Sequence, residues 1–266
     1  MKNDHRLRWS FFLWQMTMKR FLWAGVMAGV TALAGAADFS RTGSGSIAMR
    51  GPVAEGDVDK LRRLATPDTR LLRVNSDAGD AQAAMQLGRL VRQLRLDIAI
   101  DTVCAGSCAL YVFPAARGKR IPMDAVLALQ ESAFLRAQAD RAQLRRTLVE
   151  AGVAAEDLDS ETQALAAQLA ETAALEAAFA AQLGFSPAFY RDFRQVAAQA
   201  ESVRQRFPDQ EAAVYWWPAG TRLRRCYGIG DVDEGTRAAR LAPDGYLYVP
   251  ALSALVMGDQ GLQGCP

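Results

Sequence analysis

The sequence predicts an α/β protein built on a mostly parallel sheet, with a helical insertion and a small C-terminal segment that contains strands. Between residues 47 and 131, short apolar runs alternate with stretches whose apolar residues recur at helical spacing. That order is typical of parallel strands joined by right-handed crossovers. Residues 132–208 are instead rich in Ala, Gln, Leu and Glu, which favour helices. Residues 209–266 return to short apolar runs separated by Gly and Pro.

The α/β core is expected to span residues 47–131. Residues 47–50 are a strand candidate, and a short helix follows with Asp57 as its N-cap. A second strand, residues 71–74, leads through a turn into a helix over residues 80–94, where Ala84, Leu87, Val91 and Leu94 share one face. The next strand is expected at residues 98–100, which makes strand–helix–strand the repeating unit of this core.

The helical region, residues 132–208, contains a helix start at Ser186-Pro187. After it, six residues recur at alternating spacings of three and four, a pattern called here the Phe189 seam: Phe189, Phe193, Val196, Ala200, Val203 and Phe207. The pattern fits a helix packed on its own domain or an arm used for self-association. In the tail, residues 213–217, 223–227 and 246–249 are strand candidates. Trp216-Trp217 fits a buried cover for the sheet edge or a ligand-stacking surface.

The N-terminus predicts export. Lys19 and Arg20 precede an apolar run over residues 21–33, and the small residues 34–37 come next. This is the layout of a secretory signal peptide, so residues 1–37 are interpreted as a signal peptide with an extended leader, cut near Ala36 or Ala37 and directing the chain to the periplasm. An uncleaved membrane anchor over residues 21–37 is the alternative. Residues 38–46 are then expected to form a flexible Gly/Ser linker.

Composition excludes several kinds of site. The 266-residue chain has one histidine, His5, which precedes the apolar run, so no Ser-His-Asp, Cys-His or histidine metal site is expected in the folded body. The net charge of +2 gives no electrostatic case for binding nucleic acid. No cofactor and no metal are expected.

The four cysteines suit an oxidising compartment. Three pairings are possible; Cys226 with Cys265 is favoured, and Cys104 and Cys108, four residues apart, are close enough in sequence to pair across the elbow. Two structural bridges are favoured over a zinc site, because the C-x2-C spacing of zinc ligands is missing.

Three segments of the core, taken in order, resemble the Clp protease and crotonase superfamily, and most closely the exported Clp protease-like periplasmic proteins of bacteria. Residues 74–80 (VNSDAGD) resemble the turn whose backbone N–H groups form the family's oxyanion hole. Residues 104–109 (CAGSCA) resemble the elbow that carries the nucleophilic serine. Residues 117–120 (RGKR) resemble the segment after the elbow helix. The resemblance implies a Clp/crotonase-type fold and assembly into homo-oligomers.

The same resemblance implies that catalysis has been lost. Counting back from Arg120 places Gly106 where the family has its serine, and the family histidine falls on Gln130, or at most Glu131. Neither side chain accepts a proton as an imidazole does near neutral pH. Ala78 stands where the turn has its first glycine, and alanine tolerates a positive φ poorly.

A second hypothesis uses residues that are present. Without histidine, the remaining base for Ser107 is Lys119, as in Ser-Lys hydrolases. That hypothesis requires a desolvated Lys119, whereas its neighbours Arg117 and Arg120 favour a surface turn, and helix capping is the simpler role for Ser107. The sequence therefore predicts a non-catalytic binding or assembly module with a peptide or acyl-type ligand near Ala78, Gly79 and Gly106. A Ser-Lys hydrolase is the alternative.

Overall fold

The computed structural model of the chain describes residues 36–204, 213–235, 241, 245–262 and 264–265. The predicted signal sequence up to residue 35, and Phe207 of the Phe189 seam, lie outside the described residues. The described chain falls into two compact units, a larger one of residues 36–136 and 172 onward, and a smaller one of residues 137–171. None of the described helices combines the length and apolar character needed to span a membrane.

The strands of the larger unit form two sheets. In chain order they are β1 (Asp38–Gly43), β2 (Ser46–Arg50), β3 (Leu71–Ser76), β4 (Asp97–Ala105), β5 (Lys119–Arg120), β6 (Val126–Ala128), β7 (Ala213–Trp216), β8 (Val232–Asp233), β9 (Tyr246–Val249) and β10 (Ala254–Met257). The first sheet has seven strands in the order β1-β2-β3-β4-β5-β8, with β6 also paired to β4. Only β1 pairs antiparallel there. The predicted class, a mixed α/β protein with a mainly parallel central sheet, is confirmed.

The second sheet is small, with β10 between β7 and β9. The helices are α1 (Asp57–Leu64), α2 (Ala81–Gln93), α3 (Phe113–Ala115), α4 (Ala133–Arg136), α5 (Arg141–Glu150), α6 (Leu158–Leu183), α7 (Phe193–Arg204) and α8 (Gly220–Arg222). Cys108–Val112 and Leu223–Tyr227 are π-helical turns, and Pro187–Tyr190 and Pro250–Leu252 are 3-10 turns. Helices α1 and α2 make the two predicted connections, from β2 to β3 and from β3 to β4.

Helix α2 packs against the core through the face that the sequence indicates. The Asp80 side chain accepts a hydrogen bond from the Ala83 N–H at 2.8 Å and so caps the helix. Ala84, Leu87 and Val91 are fully buried. At Gly88 a Cβ would clash with the carbonyl oxygen of Tyr111, so the absence of a side chain lets α2 approach the π-helical turn closely.

Three local predictions were wrong. Residues 38–46 are not a linker: β1 pairs with β2 as a hairpin in which Gly43 faces Ser46, and the Ser/Gly composition fits that two-residue turn. Asp57 is not the N-cap of α1, because Gly56 takes that position at φ +88° and Asp57 is buried, accepting from the Ala54 N–H at 2.9 Å. Residues 223–227 form a π-helical turn, since a short apolar run does not by itself distinguish helix from strand.

The Phe189 seam faces its own unit. Phe189, Phe193, Val196 and Ala200 are each at most 8% exposed, and Val203 is half-buried against the same core. This burial supports intradomain packing over an arm for self-association. Trp216 and Trp217 are also buried, as the edge-cover interpretation requires.

The smaller unit consists of α5 and the first part of α6. Asp140 caps α5 by accepting from the Gln143 N–H at 2.7 Å. Leu144 and Leu148 of α5 are buried, as are Leu165 and Leu169 of α6.

Candidate functional site

The predicted elbow is a turn from strand to helix, centred on Gly106. Strand β4 ends at Ala105, Gly106 has a φ of +54°, and the π-helical turn begins at Cys108. The Gly106 N–H donates to the Ala128 carbonyl of β6 at 3.1 Å, and its carbonyl accepts from the Leu110 N–H at 2.9 Å. The elbow is thereby fixed on both sides by backbone hydrogen bonds.

Both predicted disulfides form, Cys104–Cys108 and Cys226–Cys265. The first closes a small loop around the elbow, so that Gly106 lies between two linked residues. Because all four cysteines are paired, none offers a thiolate nucleophile or a metal ligand.

The structure brings Gly106 and Gln130 together. A Cβ built on Gly106 would lie 3.3 Å from Nε2 of Gln130 and 3.5 Å from the carbonyl oxygen of Asp77. Gln130 is held there because Leu129, just before it, exchanges two backbone hydrogen bonds with Trp216 at 2.7 and 2.8 Å. Gly106 and Gln130, the two positions that the resemblance assigns to the nucleophile and the base, therefore lie next to each other.

The turn after β3 packs against the chain around Val53. The Val53 N–H donates to the Ala78 carbonyl at 3.2 Å, and the Val53 carbonyl accepts from the Asp80 N–H at 2.8 Å. Gly79 has a φ of +146°, and a Cβ on it would lie 2.6 Å from the Val53 oxygen. Glycine is required here by conformation and by space. Ala78 has no positive φ, so the expected strain at that alanine does not arise.

Ser107 links this turn to the elbow. The serine is 3% exposed, and its Oγ donates a hydrogen bond to the Gly79 carbonyl at 2.7 Å. The side chain makes no capping hydrogen bond to the helix that follows, so the expected capping role is wrong. The hydroxyl proton is directed at a carbonyl oxygen, which cannot act as a general base.

Lys119 lies far from Ser107. It pairs with Ile98 near the start of β4, whereas Ser107 follows Ala105 at the other end, so the two backbones are roughly 20 Å apart at ~3.3 Å per residue. The structure therefore does not bring the Ser-Lys pair together. Lys119 is also not in a surface turn: it is 5% exposed and donates to the carbonyls of Ala116 at 2.8 Å and Gly230 at 3.0 Å.

The environment of Lys119 perturbs its titration. Burial lowers the pKa of the Lys119 ammonium from 10.5 to about 8, although the nearby Asp231 carboxylate opposes the shift. A lysine with such a pKa is a candidate base in principle, but no hydroxyl of the elbow is hydrogen-bonded to it.

A buried carboxylate that the sequence analysis missed positions the site. Glu176 of α6 is fully buried and accepts from the Tyr111 hydroxyl at 2.5 Å and from the Ala133 and Phe134 N–H groups at 3.1 and 2.6 Å. Burial raises the pKa of Glu176. Tyr111 lies on the π-helical turn after the elbow, and Ala133 follows Gln130 by three residues. Glu176 therefore ties together the two segments that face each other at Gly106 and Gln130.

A second buried polar cluster lies outside the site. Asp192 accepts from Arg222 at 2.8 Å and from the Tyr227 hydroxyl. Within the described residues, no group of three or more His, Cys, Asp or Glu side chains is placed to hold a metal ion. Two shallow surface cavities of about 360 Å³ each are lined by residues of α5 and by residues of β1 and α1, and neither includes the elbow.

Comparison with known proteins finds matches among solved structures at low sequence identity. No protein-family model matches the sequence, and no curated protein matches it. Among solved structures, an enoyl-CoA hydratase from Mycobacterium avium subsp. paratuberculosis is 13% identical over 60% of this chain and 88% of its own, with a TM-score of 0.29. Pseudomonas aeruginosa DspI is 14% identical over 70% of this chain and 96% of its own, with a TM-score of 0.30. Because both TM-scores are below 0.5, the fold class rests on the strand order, and nothing about activity follows from these matches.

Proposed function

We propose that this chain is an exported, non-catalytic binding or assembly module with a Clp/crotonase-type core. One observation carries the proposal: the elbow presents Gly106 to Gln130, where chemistry of this type needs a nucleophile and a base. The serine that follows Gly106 in the chain, Ser107, is buried, and its hydroxyl donates to the Gly79 carbonyl. Two disulfides support export, because such bonds persist in oxidising compartments.

The ligand proposed for this module is a peptide or acyl-type group at Ala78, Gly79 and Gly106. Gly79 pairs with Val53 in a parallel bridge, in which Ala78 and Asp80, on either side of Gly79, form the hydrogen bonds to Val53. The N–H and the carbonyl of Gly79 itself therefore point away from Val53. The carbonyl meets Ser107 at 2.7 Å on that side. The Gly79 N–H has no acceptor among the described residues, and a ligand carbonyl or carboxylate would supply one.

A fluorophosphonate probe tests the absence of catalysis. The purified exported chain is expected to remain unlabelled and to leave ester and peptide substrates intact. Labelling at Ser107 that disappears in Lys119→Ala would establish the Ser-Lys hydrolase instead. As a positive control, the double variant Gly106→Ser with Gln130→His places a hydroxyl and an imidazole at two positions already in contact. We expect that variant to be labelled, and the single variant Gly106→Ser to be labelled far less.

Ligand binding is tested separately by titrating short peptides and acyl thioesters and following the intrinsic tryptophan fluorescence. Ala78 is exposed, so Ala78→Trp would fill the proposed cleft without disturbing the core, and binding should be lost. Ala142→Trp, on the exposed face of α5, is the matched control and should bind as the unaltered chain does. Equal binding by both variants would place the ligand elsewhere.

The assembly part of the proposal rests on the resemblance alone, which implies homo-oligomers. Sedimentation velocity over a range of concentrations measures it. A single species with the mass of one chain at every concentration would remove assembly from the proposed function and leave the binding role.

A further inference from the structure

Three bonds near the N-terminus fit the pattern of small residues at the first and third positions before a signal-peptide cut. The bonds follow Ala34, Ala36 and Ala37, with Ala32, Ala34 and Gly35 as the respective third residues. The pattern of small residues does not by itself choose among them. We propose that the cut is made between Ala36 and Ala37, so that the mature chain begins at Ala37. This inference rests on the export included in the proposed function.

Ala37 belongs to the folded body. It is 0% exposed and is part of the hydrophobic core that includes Met49. Its carbonyl accepts a hydrogen bond from the Lys60 ammonium at 2.8 Å. Lys60 is itself held by the fully buried Asp57 carboxylate at 2.8 Å. A cut after Ala37 would remove the buried methyl group and the carbonyl acceptor together, leaving Lys60 with one partner fewer.

Ala36, in contrast to Ala37, is not part of the buried core. It is exposed, and it lines the shallow cavity beside Lys60 and Arg63. Burial therefore changes from exposed to complete across one peptide bond, and β1 begins immediately afterwards at Asp38. The bond after Ala34 is a poorer candidate, because Ala32 and Leu33 of its recognition triplet belong to the apolar run, whereas the recognition site of a signal peptide follows that run.

The reaction is amide hydrolysis by a peptidase that accepts small side chains at the two recognition positions. Water adds to the Ala36 carbonyl carbon, and the bond to the Ala37 nitrogen breaks. The carboxylate stays on Ala36 of the released leader, and the nitrogen becomes the ammonium group of Ala37. No co-reactant other than water is consumed.

The test is the intact mass of full-length protein expressed in a Gram-negative host, measured on soluble periplasmic, membrane and cytoplasmic fractions. The unaltered chain is expected in the periplasm as residues 37–266 with two disulfides. Gly35→Phe alters the unconstrained middle position and should give the same product. Ala36→Phe puts a large side chain next to the scissile bond, and its product beginning at Ala37 should fall below detection.

Each outcome is decisive. A periplasmic chain that begins at Asp38, at Gly35 or at any residue other than Ala37 overturns the cut while leaving export intact. Retention of the leader in the membrane fraction overturns the cut in favour of an anchor. Retention of the whole chain in the cytoplasm overturns both the cut and the exported role. Efficient production of the Ala37 product from Ala36→Phe would also contradict the recognition that is proposed.

Discussion

The contact between Gly79 and Val53 determines the shape of the candidate site, and replacing Gly79 by alanine should break it. A Cβ at Gly79 would lie 2.6 Å from the Val53 oxygen, 2.7 Å from its nitrogen and 2.8 Å from its Cβ. Two of those atoms belong to the backbone, so no side-chain rotation relieves the clash. The φ of +146° adds strain for any residue with a side chain.

The expected loss follows from these two terms. Strain at a conformation reserved for glycine costs about 1–3 kcal/mol, and forcing a methyl group into filled space costs about 1–3 kcal/mol more. Gly79→Ala should therefore lower the free energy of unfolding by about 2–6 kcal/mol. That is a large part of the ~5–15 kcal/mol by which a typical domain is stable.

Gly56→Ala is the matched control. Gly56 also has a positive φ, +88°, but a Cβ there would have nothing within 4 Å. Gly56→Ala should therefore lower the free energy of unfolding only by the strain of this conformation, about 1–2 kcal/mol. Urea unfolding followed by the fluorescence of the buried Trp216 and Trp217 measures both variants. If Gly79→Ala is destabilised no more than Gly56→Ala, Val53 does not pack on the turn, and the geometry deduced for the turn around Gly79 is wrong.

Three further predictions concern buried polar groups. Because the pKa of Lys119 is about 8 when folded and 10.5 otherwise, the unfolded chain binds more protons between those values. The free energy of unfolding should therefore rise with pH across that window, by up to about 3 kcal/mol. In urea titrations, Lys119→Met should remove this rise and the control Lys60→Met should keep it. An unchanged dependence of the free energy of unfolding on pH in Lys119→Met would refute this prediction. Ser107→Ala leaves the Gly79 carbonyl without its donor and should lower the free energy of unfolding by about 1–3 kcal/mol, measured by thermal unfolding. An unchanged Tm would contradict the role given to the Ser107 hydroxyl. Glu176→Ala leaves three donors unpaired and should cost at least about 3 kcal/mol by calorimetry, so a loss below about 1 kcal/mol would show that water replaces the carboxylate.

Local patterns in the sequence were sufficient to predict the order of strands and helices in the α/β core. The spacing of Ala84, Leu87 and Val91 predicted the buried face of α2, because helical periodicity is a property of residues close together in the sequence. The strand after it was predicted too short. Strand β4 continues to Ala105 and has a shift of register against β3 between Val74 and Ser76, which no local pattern reports.

Hydrogen bonds between residues far apart in the sequence could not be predicted from these local patterns. Ser107 reaches a carbonyl 28 residues away, and Tyr111 reaches a carboxylate 65 residues away. Glu176 sits in an alanine-rich helix in which nothing marks it as buried. Lys119 was placed in a surface turn because Arg117 and Arg120 flank it closely, yet alternation along the strand turns Arg120 outward and Lys119 inward. The adjacency of Gly106 and Gln130 was reached only through the family resemblance.

The buried polar groups at this site position the backbone through hydrogen bonds. Glu176 is held fully buried at a cost in desolvation, and in return it fixes the elbow helix through Tyr111 and the following segment through Ala133 and Phe134. The Cys104–Cys108 bond and the Ser107 hydroxyl fix the same elbow from its other side. For the binding role proposed above, a constrained elbow is an advantage, because a rigid surface binds a ligand at a lower entropic cost than a flexible one. If binding depends on that rigidity, the variant Glu176→Ala should lose ligand affinity under conditions in which it is still folded, while Ala142→Trp keeps it.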